Sequence, residues 1–385
     1  MHILNIFAVP FYKRDCQKRL RCSILIKAIK LKENLENVKK YIFQVKYQPL
    51  NNNDAGPKAK KDVEHYLMEE QFEKVDLNLG ITTEDQSILS KFKKMKFANL
   101  DIAKIIKQYP EGEIVLQYPT YSPYIMKKLI TKIKELTDTK LYLLIHDLES
   151  VRFFQHDEKF LANERYMLNA ADGIISHNPS MTKWMKTHQI TTPIVDLEIF
   201  DYDNPCPINT KIKDGDYTLA FAGNLRAGKA DFLQKMNLKH QLKLFGPNPA
   251  ENYPSSIDYQ GQHTPEELPQ YLDQNFGLIW DGDAVNECNG MFGEYLKYNN
   301  PHKTSLYLSS GLPVIIWKKA ALAQFVEKYN VGITVDSLND IDTALDQLST
   351  QQYQEMKANT VKLAQKLREG YFVKNAVKQL EEITK

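Results

Sequence analysis

Asn299–Ile315 reads NNPHKTSLYLSSGLPVI. Asn300-Pro301 stops the preceding chain, because the residue before a proline is driven out of the helical region. A helix then starts near Lys303–Thr304, runs about two turns and ends at Gly311, and Pro313 opens an apolar strand. This helix–turn–strand unit repeats outward in both directions. Upstream lie a strand at Tyr217–Phe221, a helix at Lys229–Met236, a strand at Leu242–Phe245, a helix at Pro265–Leu272 and a strand at Phe276–Trp280. Downstream come a helix at Ala320–Lys328, a strand at Val331–Val335 and a helical tail over Ile341–Leu348 and Gln351–Thr384. Apolar strand runs alternating with helices call for a parallel sheet covered on both faces.

The first half of the chain has the same rhythm. Strands are predicted at His2–Val9, Ile42–Val45, Val75–Leu79, Glu113–Tyr118, Lys140–Ile145 and Gly173–Ser176. Helices are predicted at Ser23–Leu35, Val63–Phe72, Asp85–Gln108, Pro123–Thr137, Glu158–Ala170 and Pro179–His188, with a loop at Pro49–Pro57. Asp201–Gly215 (DYDNPCPINTKIKDG) breaks the rhythm with prolines and polar turn residues, which places a linker there. The fold class is therefore α/β, with two Rossmann-like doubly wound domains facing a cleft. The first spans 1–200 and the second 216–365, and 366–385 is a helix that can cross back to the first. Ligands of such sheets sit beyond the carboxyl ends of the strands, so the cleft is the expected site.

Composition narrows the function. Lys and Arg number 50 against 48 Asp and Glu, a net charge of +2, which does not suit a nucleic-acid binder. No apolar run approaches the length of a membrane span. Cys16, Cys22, Cys206 and Cys288 form no CxxC pair and fit reduced thiols of a cytoplasmic protein. A basic stretch from Lys13 to Lys32 suits acidic membrane lipid, a phosphorylated acceptor or a solvated helix face.

The segments at the strand ends carry the chemistry. A helix N-terminus beside Lys303 and Thr304 is an anion site, because free N–H groups and the helix dipole both favour negative charge. The other reading is a plain helix–turn–strand unit with a solvated lysine. In Leu219–Lys229 (LAFAGNLRAGK), Gly223 and Asn224 follow a strand, and Arg226 can grip a diphosphate. The stretch is neither GxGxxG nor GxxxxGK[ST], which argues against a nicotinamide enzyme or a Walker-type site. Asp281-Gly282-Asp283 follows another strand. Its acids either hold sugar hydroxyls or form an ordinary turn. Without a third carboxylate or a histidine nearby they make a poor metal cage, so no metal is expected. In the first domain, Ile145-His146-Asp147-Leu148-Glu149 ends an apolar strand. Asp147 and Glu149 compete as general base, with His146 orienting one of them. The alternative is an acidic cap with Arg152 as its partner. The Tyr118–Ser122 loop suits either a sugar or a loop core.

Together, AGNLR after a strand, the Trp-Asp-Gly-Asp loop, NNPHKTSLYLSSGLPVI and IHDLESVR resemble a family of bacterial sugar transferases. It includes glucosyltransferase 3 of the serine-rich-repeat adhesin pathway, with the β-1,6-galactofuranosyltransferases as neighbours. The resemblance runs from about Val115 to Leu380. It implies a GT-B fold, a UDP-sugar donor held mainly by the second domain, and no cofactor. Arg226 and Lys303 would hold the diphosphate with help from Thr304, and Asn300 and His302 belong to the same motif. It also implies inversion at the anomeric carbon, a glycan, glycoprotein or lipid-linked acceptor, and a homodimer or homotetramer. Such an enzyme would work in the cytoplasm, either free or at the inner face of the membrane. One departure stands out: where many GT-B transferases carry a pair of glutamates for ribose, this chain has Tyr298 and Leu306. Ribose contacts would then fall to groups such as Asp281 or Asp283. A rival reading is a non-catalytic, sugar-binding partner subunit of the same fold.

Overall fold

A computed structural model describes residues 38–48, 55–82, 85, 87–212 and 215–385. The strand His2–Val9, the helix Ser23–Leu35, Cys16, Cys22, the Lys13–Lys32 stretch and much of the Pro49–Pro57 loop lie outside the described residues. Tyr41–Lys385 forms one compact unit built on two six-stranded sheets.

The first sheet contains β1 (Lys40–Gln48), β2 (Glu73–Thr82), β3 (Glu113–Tyr118), β4 (Lys140–Ile145), β5 (Gly173–Ser176) and β6 (Ile194–Asp196), in the order β2-β1-β3-β4-β5-β6. Its pairs β1–β2, β3–β4, β4–β5 and β5–β6 are parallel. Alternation along β3 and β4 sends Ile114, Leu116, Leu141 and Leu143 to one core with Ile125, Leu129 and Ile133 of the helix Pro123–Leu136. Val115, Tyr142 and Leu144 point to the other face, into a core that continues through Tyr66 and Leu380 to the second sheet. Both faces are covered, which explains the continuous apolar runs.

The second sheet contains β7 (Leu219–Ala222), β8 (Leu242–Phe245), β9 (Ile257–Tyr259), β10 (Phe276–Ile279), β11 (Val314–Trp317) and β12 (Gly332–Val335). Its order is β12-β11-β10-β7-β8-β9, parallel throughout. Read from β7, this is the strand order of dinucleotide-binding sheets, with the reversal between β7 and β10.

The tail departs from expectation. Instead of one helix over Gln351–Thr384, helices Thr350–Arg368 and Tyr371–Ile383 meet at Gly370, whose φ is +69°. A side chain there would come within 2.3 Å of the Tyr66 ring, so only glycine allows the turn against the first sheet's helix Ala55–Glu69. The last helix then crosses to β5 and β6 and presses Leu380 onto Gly173. Asp201, in the linker, accepts the N–H groups of Phe372 (3.1 Å) and Val373 (2.7 Å) and so caps this helix from a distance.

Other elements escaped the sequence reading. The strands β6 and β9 and the short helices Glu149–Arg152 and Gly290–Tyr295 are too brief to show a period. The helix predicted at Lys229–Met236 shrinks to Phe232–Lys235, because Asp231 accepts the Gly228 N–H and holds a turn in its place. The predicted helix Asp85–Gln108 forms as Ile88–Lys96, a π-helical segment Phe97–Asp101 and Ile102–Ile106.

Candidate active site

The loops leaving β7 and β10 diverge at the strand-order reversal and form one wall of the cleft. Lys303, in the first turn of the helix His302–Ser309, sends Nζ to Trp280 O (2.9 Å) and Asp281 Oδ1 (2.8 Å), 4.5 Å from the Phe221 ring centre. Arg226 is exposed, with its guanidinium 4.7 Å from the Phe292 ring centre, and the Lys229 ammonium lies 5.1 Å from the same ring. Burial pushes the Lys229 pKa down. Lys303, Arg152 and Arg226 add to the fall, and Asp281 opposes it. This wall therefore concentrates positive charge, which Asp281 partly offsets.

The backbone beside these cations leaves Arg226 exposed. A side chain at Gly223 would meet only the Phe221 ring, at an ordinary 3.7 Å, so internal packing does not demand a glycine there. Its absence leaves backbone open to a ligand. Asn224 Oδ1 accepts the Arg226 N–H (3.1 Å) and an amide hydrogen of Asn248 (2.9 Å), fixing the turn that presents Arg226. Asp283 is tied into its own loop: Oδ1 accepts Asn289 Nδ2 (2.6 Å) and its carbonyl accepts Lys235 Nζ (2.6 Å).

The opposite wall comes from the ends of β3 and β4. Arg152 Nη1 donates to Asp147 Oδ2 at 2.5 Å, and Asp147 keeps 32% of its side-chain surface open. The ion pair of the alternative reading therefore exists, and the carboxylate still reaches the cleft. Desolvation raises the Asp147 pKa, opposed chiefly by Arg152 and then by Tyr295 and Lys60. Glu149 is pushed up to about 7 by burial and by the neighbouring Asp147 charge. Its Oε2 is enclosed and finds no hydrogen bond among the described residues. His146 bonds Gln117 Oε1 through Nε2 (2.8 Å) and stacks on Phe200. Burial drives its pKa well below the ordinary value, and Lys60, His177 and His302 deepen the fall. The ring is therefore neutral and orients the loop rather than carrying charge.

Several candidates prove to be structural. Tyr118 is 1% exposed and its hydroxyl donates to Glu164 Oε1 (3.0 Å), so it belongs to the core and not to a sugar site. Asn300 Nδ2 donates to His177 O (2.7 Å) and Glu198 O (3.1 Å), and Oδ1 accepts Asn178 Nδ2 (2.8 Å). Its amide is fully used in clamping the two halves together. The Asn300 N–H also donates to His177 Nδ1 (2.9 Å), while His177 Nε2–H donates to Ile145 O (3.1 Å). His302 is partly buried beside Tyr202, and desolvation pushes its pKa down to about 3. Thr304 is fully enclosed, and its hydroxyl has no hydrogen-bond partner among the described residues. Asn300 and Thr304 are thus enclosed rather than lining the opening.

Important neighbours went unread. Glu164, 1% exposed, accepts the Ser150 N–H (3.1 Å) and the Glu149 N–H (3.3 Å), pinning the short helix that carries Arg152. Burial raises its pKa. Lys60 donates to Pro119 O (3.0 Å), and burial lowers it to about 8 against the pull of Asp147, Glu64 and Glu149. Tyr295 Oη accepts the Leu148 N–H (2.9 Å), joining the halves directly beneath Asp147. The edge of Phe153 meets Phe292 across the cleft. Nothing local in the sequence marks these residues, because packing between distant segments gives each its place. Among the described residues no group of three or more His, Cys, Asp or Glu could hold a metal. No helix of the described residues is long and apolar enough to cross a membrane.

Two parallel sheets with a cationic wall facing an acidic one define a glycosyltransferase of the GT-B fold. Sucrose-phosphate synthase from Thermosynechococcus elongatus superimposes with a TM-score of 0.62 at 14% identity, over 89% of this chain and 98% of its own. The chain belongs to the glucosyltransferase 3-like family: the family's N-terminal domain matches residues 39–199 and its C-terminal domain residues 219–380. It is 32% identical over 340 residues to the beta-1,6-galactofuranosyltransferase WbbI of Escherichia coli, covering 85% of this chain and 94% of that one. It is 25% identical over 269 residues to glucosyltransferase 3 of Streptococcus gordonii, covering 69% and 78%.

Proposed function

We propose that this chain transfers a hexosyl group, glucose, galactose or galactofuranose, from a UDP-sugar to a hydroxyl of a glycan, glycoprotein or lipid-linked acceptor. One observation carries the reading: Arg226, Lys229 and Lys303 gather at the strand-order reversal of the second sheet, and Arg152, the ion-pair partner of Asp147 on the first, lies close enough to act on Lys229. Arg226 and Lys303 hold the diphosphate, with Lys229 beside them. The donor phosphate takes over the charge pairing that Asp281 gives Lys303 without ligand. Asp147 accepts the proton of the acceptor hydroxyl. The freed oxygen forms its bond to the anomeric carbon as the bond from that carbon to UDP breaks, and the electron pair leaves with UDP. The cationic wall stabilises that departing charge. Attack from the acid wall on a sugar held by the opposite wall favours inversion. With cations supplied by the chain itself, the reaction needs no metal.

The test is turnover of purified protein with a panel of UDP-sugars, with and without candidate acceptors. Release of UDP from one sugar, abolished by Asp147→Asn while UDP still binds, supports the assignment. UDP binding with no turnover of any UDP-sugar points instead to the non-catalytic subunit.

A further inference from the structure

The helix Ile88–Lys96 and the π segment after it leave an unusual face uncovered. Ile88, Leu89, Phe92, Met95 and Leu100 are 54 to 74% exposed. Ile88, Phe92 and Met95 stand at spacing i, i+4, i+7 and form one stripe. Ser90, Phe97 and Ala98 on the far side are buried, so the stripe points away from the protein. By helical spacing Lys91 flanks it on one side and Lys96 on the other, while Lys93 lies further round with Nζ donating to Gly80 O (3.5 Å), and no acidic residue occurs between Asp85 and Asp101. An apolar stripe bordered by lysines is the pattern of a helix lying in a membrane interface. The apolar side chains enter the acyl boundary while the ammonium groups reach anionic headgroups. Isolated exposed apolar residues are ordinary, but a contiguous row of them framed only by positive charge is not.

The surroundings agree. Tyr124, half exposed, donates to Asn99 Oδ1 (3.3 Å), and Lys128 lies beside its ring. Tyrosines with an apolar body and a polar tip favour the headgroup level. Tyr124 begins the helix that follows the Pro119–Ser122 loop, and Pro119 is the residue Lys60 grips at the acid wall. The exposed face therefore belongs to the same half of the molecule as the wall assigned to the acceptor.

We propose that the face formed by Ile88, Phe92 and Met95 with Lys91 and Lys96 docks on an anionic lipid bilayer, lying on the surface without spanning it. Membrane binding stands apart from the transferase reading. Only its corollary, that the acid wall is thereby turned toward lipid-linked acceptors, rests on that reading.

The experiment is co-sedimentation of the full chain with phosphatidylcholine vesicles, with and without phosphatidylglycerol, at low and high salt. Binding is expected only with the anionic lipid and should weaken as salt rises. Phe92→Glu with Met95→Glu should cut it at least about tenfold. Lys91→Glu with Lys96→Glu should lower it by about 25-fold or more, taking about a factor of five per lysine near such a surface. A Phe92→Trp variant should shift its emission to the blue when anionic vesicles are added. Thermal unfolding and UDP binding should be unchanged in every variant, since all these positions are solvent-exposed. The proposal fails if the wild type ignores anionic vesicles. It fails equally if both double variants bind as before, which would move the contact elsewhere on the chain. A wild-type dimer that Phe92→Glu dissociates, without vesicle binding, would assign the face to a second copy instead.

Discussion

At the ends of β7 and β10 the second sheet presents Arg226, Lys229 and Lys303, while at the ends of β3 and β4 the first presents His146, Asp147 and Glu149. Both walls come from the same strand–loop–helix unit, which aims the residues after each strand into the cleft. They treat charge differently. Arg226, exposed, and Lys229, partly buried, rest on the Phe292 ring, and Lys303 has Asp281. On the acid wall, burial raises both Asp147 and Glu149, and the pair sits among the neutral rings of His146 and His177. A wall with ready cations is suited to grip a leaving diphosphate. A wall whose carboxyls are raised by burial, Glu149 to about 7, is suited to move a proton.

The largest expected effect separates the two walls. Asp147→Asn keeps shape but removes the proton acceptor, so turnover should fall by about 10²–10⁴-fold. UDP affinity, read by calorimetry, should stay near wild type because the opposite wall holds the phosphates. Glu149→Gln should cost less, since Oε2 is enclosed. If Glu149→Gln stops turnover and Asp147→Asn does not, the two acids exchange roles.

Next come the cations. Lys303→Ala and Arg226→Ala should each weaken UDP binding by about 1.5–3 kcal/mol, the scale of a charge-assisted hydrogen bond. The loss should be alike for every UDP-sugar tested. Unchanged UDP affinity in both variants would take the diphosphate away from this wall.

The acid wall should also show in stability. Glu149 rises from 4.5 to about 7 on folding, so the folded state holds its proton more tightly than the unfolded one. Its contribution is fully present below pH 4.5 and is lost as pH climbs toward about 7. Glu149→Gln should remove roughly 1–3 kcal/mol of that loss, read as a higher midpoint of denaturant unfolding at pH 8 than at pH 5 relative to wild type. An identical pH dependence in wild type and variant would mean that the carboxyl is not held protonated.

Smaller still is the effect of untying the crossing helix. Asp201→Ala should cost about 1–2 kcal/mol, the range of a lost helix cap. Hydrogen exchange should rise first at Phe372 and Val373. The smallest effect expected is that of EDTA. If the cations of the second wall do the work of a metal, chelation leaves turnover where it was. A strict requirement for magnesium or manganese would instead recruit Asp281 and Asp283 as ligands.

Much of this molecule could be read from the chain before folding. Alternation of apolar strands and helices specified two parallel sheets, because a strand buried on both faces must be apolar throughout. Pro, Gly and Asn marked their ends. The strand-end motifs also brought Arg226, Lys303, Asp281 and Asp147 to light, since a doubly wound sheet delivers such residues to one crevice. Short elements were lost, as in Glu149–Arg152 and Gly290–Tyr295, which span too few residues for a periodicity to appear.

By itself, then, the sequence determined the two-sheet architecture, the polarity of each wall and the residues that follow each strand. Only tertiary structure decided which of those residues face the cleft. Tyr118 and Asn300 carry the right polar groups but spend them on Glu164, His177 and Glu198. Lys60 and Tyr295 acquire their roles from segments far away in the chain. The reason is physical. Local pattern records which side of a strand or helix is apolar, whereas a polar group's role depends on the partner that reaches it and the water it loses, and both are set when distant segments pack.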